Sequence, residues 1–234
     1  MIRIFIALFL IISSSGVFAQ EGVQIELAKA SINPSDMISV MRGAKFFATN
    51  CMTCHTMVYM RYNKLAQKAG VTYEKMPLHI TTWPFGVTPP DLSLESDVRG
   101  DDWIYTYLHS FYQDSSRPTG VNNLLVPGTA MPNIVAPYQG TQILEQVPPA
   151  ETLFGIYQWY DFLALQHGGT MTPDQFDRAI TDLVNFLHYA ANPYEQEQHA
   201  IGWWVLGFVF VLLIMLYFLK KEYWKDVKKL KDQN

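Results

Sequence analysis

Three segments of the chain place apolar residues at the three- and four-residue spacing of an amphipathic helix. The first predicted helix covers residues 36–50, the second begins at residue 101 or 102, and the third covers residues 172–192. Thr172 and Gln175 form a capping-box pattern at the start of the third helix. The predicted apolar stripes are Met37, Val40, Ala44, Phe47 and Cys51; Ile104, Tyr107, Leu108 and Phe111; and Phe176, Ile180, Leu183, Val184 and Leu187.

Between these helices the pattern is neither helical nor alternating. Residues 70–100 and 113–150 are rich in proline, glycine and asparagine, and neither segment predicts a strand. The sequence therefore predicts an all-α fold with long irregular loops. A compact domain with so much irregular chain needs something large to pack around.

The first 19 residues have the pattern of a secretory signal peptide. Arg3 precedes the apolar stretch Ile4–Ile12, which is too short to span a bilayer, and a small-residue cleavage pattern ends at Ala19. An uncleaved anchor is the alternative. Both interpretations carry the following residues out of the cytoplasm.

Residues 201–219 contain no charge and predict a transmembrane helix, with a buried core helix as the alternative. At about 1.5 Å per residue they cover most of a hydrocarbon core about 30 Å thick. Trp203 and Trp204 mark one interface, and Tyr223 and Trp224 mark the other. The tail of residues 220–234 carries a net charge of +3, so the positive-inside rule places it in the cytoplasm.

Composition narrows the class of protein. Of 234 residues, 49% are hydrophobic and 16% are charged, which excludes a disordered chain. The net charge of −4 argues against a general nucleic-acid-binding protein, and residues 20–200 alone carry 10 basic and 18 acidic residues. Two cysteines are too few for a disulfide-rich scaffold or a four-cysteine zinc site.

Both cysteines belong to one motif, Cys51-Met52-Thr53-Cys54-His55. This C-x-x-C-H pattern is typical of c-type haem attachment, because two thiols at this spacing can add to the two vinyl groups of one porphyrin. A thioredoxin-like pair, half a zinc site and a disulfide are the alternatives. A helix pattern rather than a strand precedes the motif, no second zinc-ligand pair is present, and export suits haem attachment.

His55 is the predicted axial ligand on one side of the iron, and the second ligand comes from elsewhere in the chain. Met131 lies in the turn-rich loop of residues 126–132, although a core methionine is the alternative. His79 is the next candidate, and Met76 is not excluded. A methionine opposite a histidine favours electron transfer over the binding of oxygen or peroxide. The candidates set aside are Met52, Met57 and Met60, which lie too close to the motif, and Met171, His109, His167, His188 and His199.

Haem propionates are anionic and need polar partners where they are partly buried. Arg99, directly before the second predicted helix, is the favoured partner. Arg61 and Arg117 are alternatives, and each of the three could also be an ordinary surface arginine.

The order of these motifs resembles the cytochrome c1 family, the haem subunits of cytochrome bc1 complexes, in its proteobacterial form. The resemblance covers most of residues 35–225. It is carried by the haem motif after a helix, Thr88-Pro89-Pro90-Asp91-Leu92-Ser93, Arg99-Gly100-Asp101-Asp102-Trp103, Arg117-Pro118-Thr119-Gly120-Val121, the Met131 loop, the segment Phe186–Pro193 and one C-terminal anchor.

The resemblance implies a cytochrome c-like haem domain over residues 20–200 and one covalent haem c. The implied contacts are the thioethers of Cys51 and Cys54, the axial ligands His55 and Met131, the propionate partner Arg99, and the pocket residues Pro90 and Leu92.

The family resemblance also implies a role and a location. Such a subunit takes an electron from a Rieske iron–sulfur protein and passes it to a cytochrome c, beside a cytochrome b subunit, and has no substrate-converting site of its own. The haem domain is expected in the periplasm, anchored in the lipid of a bacterial inner membrane. Two alternatives are a tethered electron donor to a terminal or nitric oxide reductase, and a haem-based gas sensor.

Overall fold

The computed structural model describes residues 25–78, 83–146 and 157–232. The predicted signal peptide and the candidate ligand His79 lie outside the described residues. The α-helices of the described part are α1 (Met37–Asn50), α2 (Lys64–Ala69), α3 (Glu95–Arg99), α4 (Asp101–His109), α5 (Ala136–Gln139), α6 (Pro173–Ala191) and α7 (Glu195–Asp232). The strands are β1 (Ile25–Glu26), β2 (Phe111–Gln113), β3 (Val121–Asn123), β4 (Gly140–Leu144), β5 (Tyr157–Gln158) and β6 (Leu163–Gly168).

The three helices predicted within residues 20–200 are confirmed as α1, α4 and α6. Phe111, predicted on the stripe of the second helix, is wrong, because α4 ends at His109 and Phe111 begins β2. The Asp36 carboxylate caps α1 by accepting hydrogen bonds from two backbone N–H groups of its first turn. Thr172 and Gln175 cap α6 reciprocally, as their spacing predicts. Of the predicted stripe of α1, Met37 is wrong: its side chain is 42% exposed, because it lies in the first turn, ahead of the residues that pack on α6.

Helices α1 and α6 cross at Gly43 and form the centre of the core. A Cβ atom on Gly43 would lie 1.8 Å from the carbonyl oxygen of Asp182, so the two backbones approach too closely for any other residue. Beside the crossing, the Arg42 guanidinium donates two hydrogen bonds to the Asp182 carboxylate, at 2.6 and 2.7 Å. Ser39 and Asn185 complete this polar network, which fixes the register of the two helices.

The sequence predicts no strands, and this prediction is wrong. Three two-stranded sheets are present in the described residues: β1 pairs with β5 in parallel, and β2 with β3 and β4 with β6 antiparallel. The strands are two to six residues long. A strand this short offers too few positions for an alternating pattern to be recognised. Helices and irregular loops still dominate, so the all-α class with long loops is confirmed.

Helix α7 follows α6 after only three residues and contains the predicted transmembrane segment. Its stretch Glu197–Lys225 is long and apolar enough to cross a membrane, and none of its most apolar part is buried in the protein. The helix extends beyond residues 201–219 at both ends. His188 of α6 lies beside its first turn, with Nε2 3.1 Å from the Glu195 carboxylate and Nδ1 2.9 Å from the Asp101 carboxylate.

Candidate haem site

A cavity of about 430 Å³ lies among α1, α4, α6 and two long loops. Its apolar wall includes Phe47, Ile104, Leu108, Leu183 and Leu187. The volume is in the range of about 300–1,000 Å³ that is usual for cofactor sites. The structure brings every predicted site residue to this cavity: Cys51, Cys54, His55, Pro90, Leu92, Arg99 and Met131 all line it.

The end of α1 positions the two thiols. Cys51 caps the helix with its N–H 2.9 Å from the Phe47 carbonyl oxygen, and the chain turns so that the N–H groups of Cys54 and His55 both donate to the Cys51 carbonyl, at 3.0 and 2.9 Å. Burial raises the pKa of Cys51 to about 12 and also raises the pKa of Cys54, so both groups are neutral thiols at neutral pH.

His55 is held as a neutral imidazole with one nitrogen free. Its Nδ1 lies 2.8 Å from the carbonyl oxygen of Pro90, so Nδ1 carries the proton that is donated and Nε2 keeps its lone pair. Burial lowers the pKa of His55, although the hydrogen bond to Pro90 acts in the opposite direction. A neutral imidazole whose other nitrogen donates to a carbonyl is the usual form of a metal-binding histidine.

The Pro90 carbonyl is itself held by a hydrogen-bonded loop that sequence reasoning missed. The Asp91 carboxylate accepts from the Thr56 hydroxyl at 2.7 Å and from the N–H groups of Val58 and Ser93 at 2.9 Å. Burial would raise the pKa of Asp91, but these hydrogen bonds, together with one from the Ser93 hydroxyl, outweigh it and lower the pKa. Asp91 stands inside the motif Pro-Pro-Asp-Leu, which is the signal that could have identified it.

The loop that carries Met131 closes another side of the cavity. The Thr129 hydroxyl lies 2.8 Å from the Tyr107 hydroxyl, and it accepts a hydrogen bond from the N–H of Met131 at 3.3 Å. Of the candidate second ligands in the described residues, Met131 alone lines the cavity. Met57, Met60 and Met76 are buried in the core cluster. Met131 and Met171 both pack against this cluster, but only Met131 of the two also lines the cavity.

Arg99 lies at the exposed rim of the cavity. Its guanidinium is 3.4 Å from the Glu95 carboxylate and stacks over the Trp103 ring at 4.9 Å, with half of the side chain exposed. Trp103 in turn stacks on Tyr107 at 5.0 Å, and both rings line the cavity. Arg61 and Arg117, the alternative propionate partners, are not among the lining residues that the structure describes.

Sequence reasoning also missed the aromatic side chains around the cavity. Trp83 and Phe85 pack edge to face at 5.6 Å and line it from the loop before Pro90. Of the cavity's aromatic residues, Tyr107 was predicted on an apolar helix stripe, and Trp103 lies four residues before it. The two loop aromatics have no periodicity that could have signalled them.

The residues around the cavity fit a covalently attached haem. The walls are apolar, two neutral thiols lie three residues apart at one edge, and a neutral imidazole and a thioether line the same space. A c-type haem needs two thiols for attachment to the porphyrin, and one with histidine and methionine ligands also needs an imidazole and a thioether for the iron.

Comparison with known proteins supports this chemistry. A protein-family model, described as the Cytochrome C1 family, matches residues 154–227 of this chain. Cytochrome c1 of Allochromatium vinosum is 38% identical over 250 residues, which cover 96% of this chain and 99% of that protein. The chain belongs to the cytochrome c1 family. The family resemblance inferred from the motifs is thereby confirmed, and so is the prediction of a covalent haem c on Cys51 and Cys54.

Two further relatives of this cytochrome c1 family member carry other names. The ammonia monooxygenase gamma subunit of Nitrosomonas europaea is 38% identical, over 88% of this chain and 91% of that protein. The protein named cytochrome b/c1 in Bradyrhizobium diazoefficiens is 24% identical, over 82% of this chain and 34% of that protein. As a member of the cytochrome c1 family, the protein is an electron-transfer haem protein.

Proposed function

We propose that this protein is the haem subunit of a quinol-oxidising cytochrome bc1 complex, in which it takes electrons from a Rieske iron–sulfur protein and passes them to a cytochrome c. The observation that carries the proposal is the meeting of His55 and Met131 at one apolar cavity beside Cys51 and Cys54. Bound haem supplies one-electron exchange. Axial ligation by imidazole and thioether would leave no open position for a reaction at the iron.

The chain's own residues would bind, orient and shield the haem. Cys51 and Cys54 form the thioethers, and the Pro90 carbonyl keeps the Nε2 of His55 available as a ligand. Leu92 and the apolar wall limit the access of water, which helps to set the reduction potential. Arg99 lies at the rim, where its guanidinium can contact a propionate.

Two observations support the proposed partners. One relative is named cytochrome b/c1 and is about three times longer than the part that matches this chain, which favours association with a cytochrome b subunit. The predicted external segment, residues 20–200, has a net charge of −8. A negative domain attracts a positively charged electron acceptor over long range, so we infer a cationic cytochrome c as the acceptor.

The proposed topology follows from the two ends of the chain. Cleavage after Ala19 would release the haem domain of residues 20–200 into the periplasm, residues 201–219 would cross the inner membrane, and the basic tail of residues 220–234 would remain in the cytoplasm. The apolar side chains of α7 are exposed on the protein, which suits contact with lipid or with neighbouring subunits.

Purification in mild detergent tests the proposal. A C-terminally tagged chain should retain a b-type cytochrome and a Rieske protein. Haem staining of a denaturing gel should show covalent haem on this chain only if Cys51 and Cys54 are intact. An untagged strain is the control. Recovery of a terminal oxidase, a nitric oxide reductase or a monooxygenase in place of those two subunits would contradict the proposed complex.

A further inference from the structure

Gly128 lies three residues before Met131, and side chains of one hairpin hold both polar atoms of its backbone. Nη2 of Arg117 donates to the Gly128 carbonyl oxygen at 2.7 Å. The side-chain oxygen of Asn122 accepts from the Gly128 N–H, also at 2.7 Å. Arg117 belongs to the turn between β2 and β3, and Asn122 belongs to β3. The Met131 loop is therefore attached to the hairpin at one residue from two directions.

The contact between Arg117 and Gly128 depends on the glycine. Gly128 has a φ of +81°, in the left-handed region that favours glycine. A Cβ atom at this position would lie 3.1 Å from Nη2 of Arg117 and 3.5 Å from its Cζ, so the guanidinium lies directly against the face that a side chain would occupy. The close approach of the guanidinium therefore depends on the absence of a side chain at Gly128.

Arg117 is itself held in place by the turn. Its N–H donates to the Asp114 carbonyl at 3.1 Å, and its carbonyl accepts from the Gly120 N–H at 2.9 Å. The Asp114 carboxylate accepts from the side-chain amide of Asn122 at 2.9 Å, which ties the two groups that hold Gly128 to each other. The anchor is therefore a hydrogen-bonded group of several residues and not a single side chain.

Arg117 acts on the loop and not on the cavity. It is not among the lining residues in the described part of the chain, and its buried Nε has no hydrogen-bond partner there. Its bond to the Gly128 carbonyl joins a charged donor to a neutral acceptor, which is stronger than a bond between neutral groups. Between Gly128 and Met131, the Thr129 hydroxyl accepts a hydrogen bond from the Met131 N–H.

We propose that Arg117 is a positioning residue for Met131: its guanidinium holds the Gly128 carbonyl and so keeps the thioether at the cavity. This inference rests on the proposed function, in which Met131 ligates the haem. Removal of the guanidinium frees the loop and increases the fraction of protein in which the thioether has left the iron. A hydrogen bond from a charged donor corresponds to about a 10- to 100-fold change in such an equilibrium.

The experiment compares four variants of the full-length haem protein: Arg117→Met, Arg117→Lys, Met131→Leu and Arg178→Met. Arg178 is an exposed arginine of α6, so its replacement is a matched loss of charge away from the loop. The measurements are the near-infrared sulfur-to-iron absorption band of the ferric protein, the reduction potential and carbon monoxide binding by the ferrous protein. Haem content and the thermal unfolding midpoint report folding separately.

We expect Arg117→Met to weaken the band, lower the potential and bind carbon monoxide, which the wild type should not bind detectably. The fraction of protein with a displaced thioether should rise about 10- to 100-fold. Arg117→Lys should be intermediate and Arg178→Met unchanged. The role of Arg117 would be overturned if both Arg117 variants had wild-type values, or if Arg117→Lys had them and Arg117→Met did not accumulate. If the band is also lost in Met131→Leu, Met131 remains the ligand. A band that persists in Met131→Leu would overturn both the assignment of Met131 as the haem ligand and the positioning role of Arg117.

Discussion

At the scale of single residues, one carbonyl oxygen determines what His55 can do. Because Nδ1 donates to Pro90, the free lone pair is on Nε2, and the lowered pKa keeps the ring neutral. Asp91 stabilises that arrangement by binding the segment that follows the cysteines. The imidazole of His55 is therefore oriented by a loop 35 residues further along the chain.

Replacement of Met131 tests the second ligand. Met131→Leu keeps an apolar side chain of similar volume but removes the sulfur, so we expect a lower reduction potential and carbon monoxide binding by the ferrous protein, which the wild type should not show. Met171→Leu is the matched control, because Met171 packs against the core outside the cavity. Carbon monoxide binding by the wild type would instead favour the gas-sensor alternative.

How far the sequence reveals the site depends on the residue. The haem motif is local, so Cys51, Cys54 and His55 can be read directly from it. The loop pattern and the family resemblance favoured Met131 but left Met76 open. The fold buries Met76 in the core and places Met131 at the cavity. Long-range contacts of this kind have no signature in a single sequence.

At the scale of elements, the crossing of α1 and α6 depends on a missing side chain. Gly43→Ala would place a methyl group 1.8 Å from the Asp182 carbonyl oxygen and 2.9 Å from the Phe186 Cβ, so the helices must separate. We expect a loss of about 1–3 kcal/mol in the free energy of unfolding, measured by thermal or denaturant unfolding of the haem protein. Lys45→Ala, at an exposed position of the same helix, is the control and should change the free energy of unfolding little.

The helices and the strands differ in how well the sequence predicts them. Helices α1 and α6 carry their own start signals, because Asp36, Thr172 and Gln175 satisfy N–H groups of the first turn through bonds over two or three residues. Strand pairing here joins segments such as β1 and β5, which lie more than 130 residues apart. For β1 and β5 the determinants are tertiary contacts, so no local pattern reports this pairing.

At the scale of the whole molecule, His188 connects the haem domain with the start of the membrane helix. Both ring nitrogens face carboxylates, those of Asp101 and Glu195, and only the imidazolium can donate to both. Burial lowers the pKa of His188, but the hydrogen bonds and charges of Asp101 and Glu195 outweigh it and raise the pKa above its usual value of 6.5. The connection is thus strongest in acidic medium.

This connection predicts a pH dependence of stability. The contribution of His188 is fully present below pH 6.5 and is lost as the pH rises through the raised pKa of the folded protein. The side chain is partly exposed and screened by solvent, so we expect His188→Gln to lower the thermal unfolding midpoint by about 2–4 °C at acidic pH and by less at alkaline pH. His167→Gln, at an exposed position, is the control. An equal effect of His188→Gln on the unfolding midpoint at both pH values would contradict the prediction.

The short linker between α6 and α7 limits how far the end of α6 can lie from the start of the membrane helix. Three residues separate the helices, and a chain of this length reaches only about 10–11 Å when fully extended. The linker and the contact between His188 and Glu195 therefore keep the start of α7 close to the end of α6. In the proposed complex, a mobile donor and a mobile acceptor would then have to approach the haem domain.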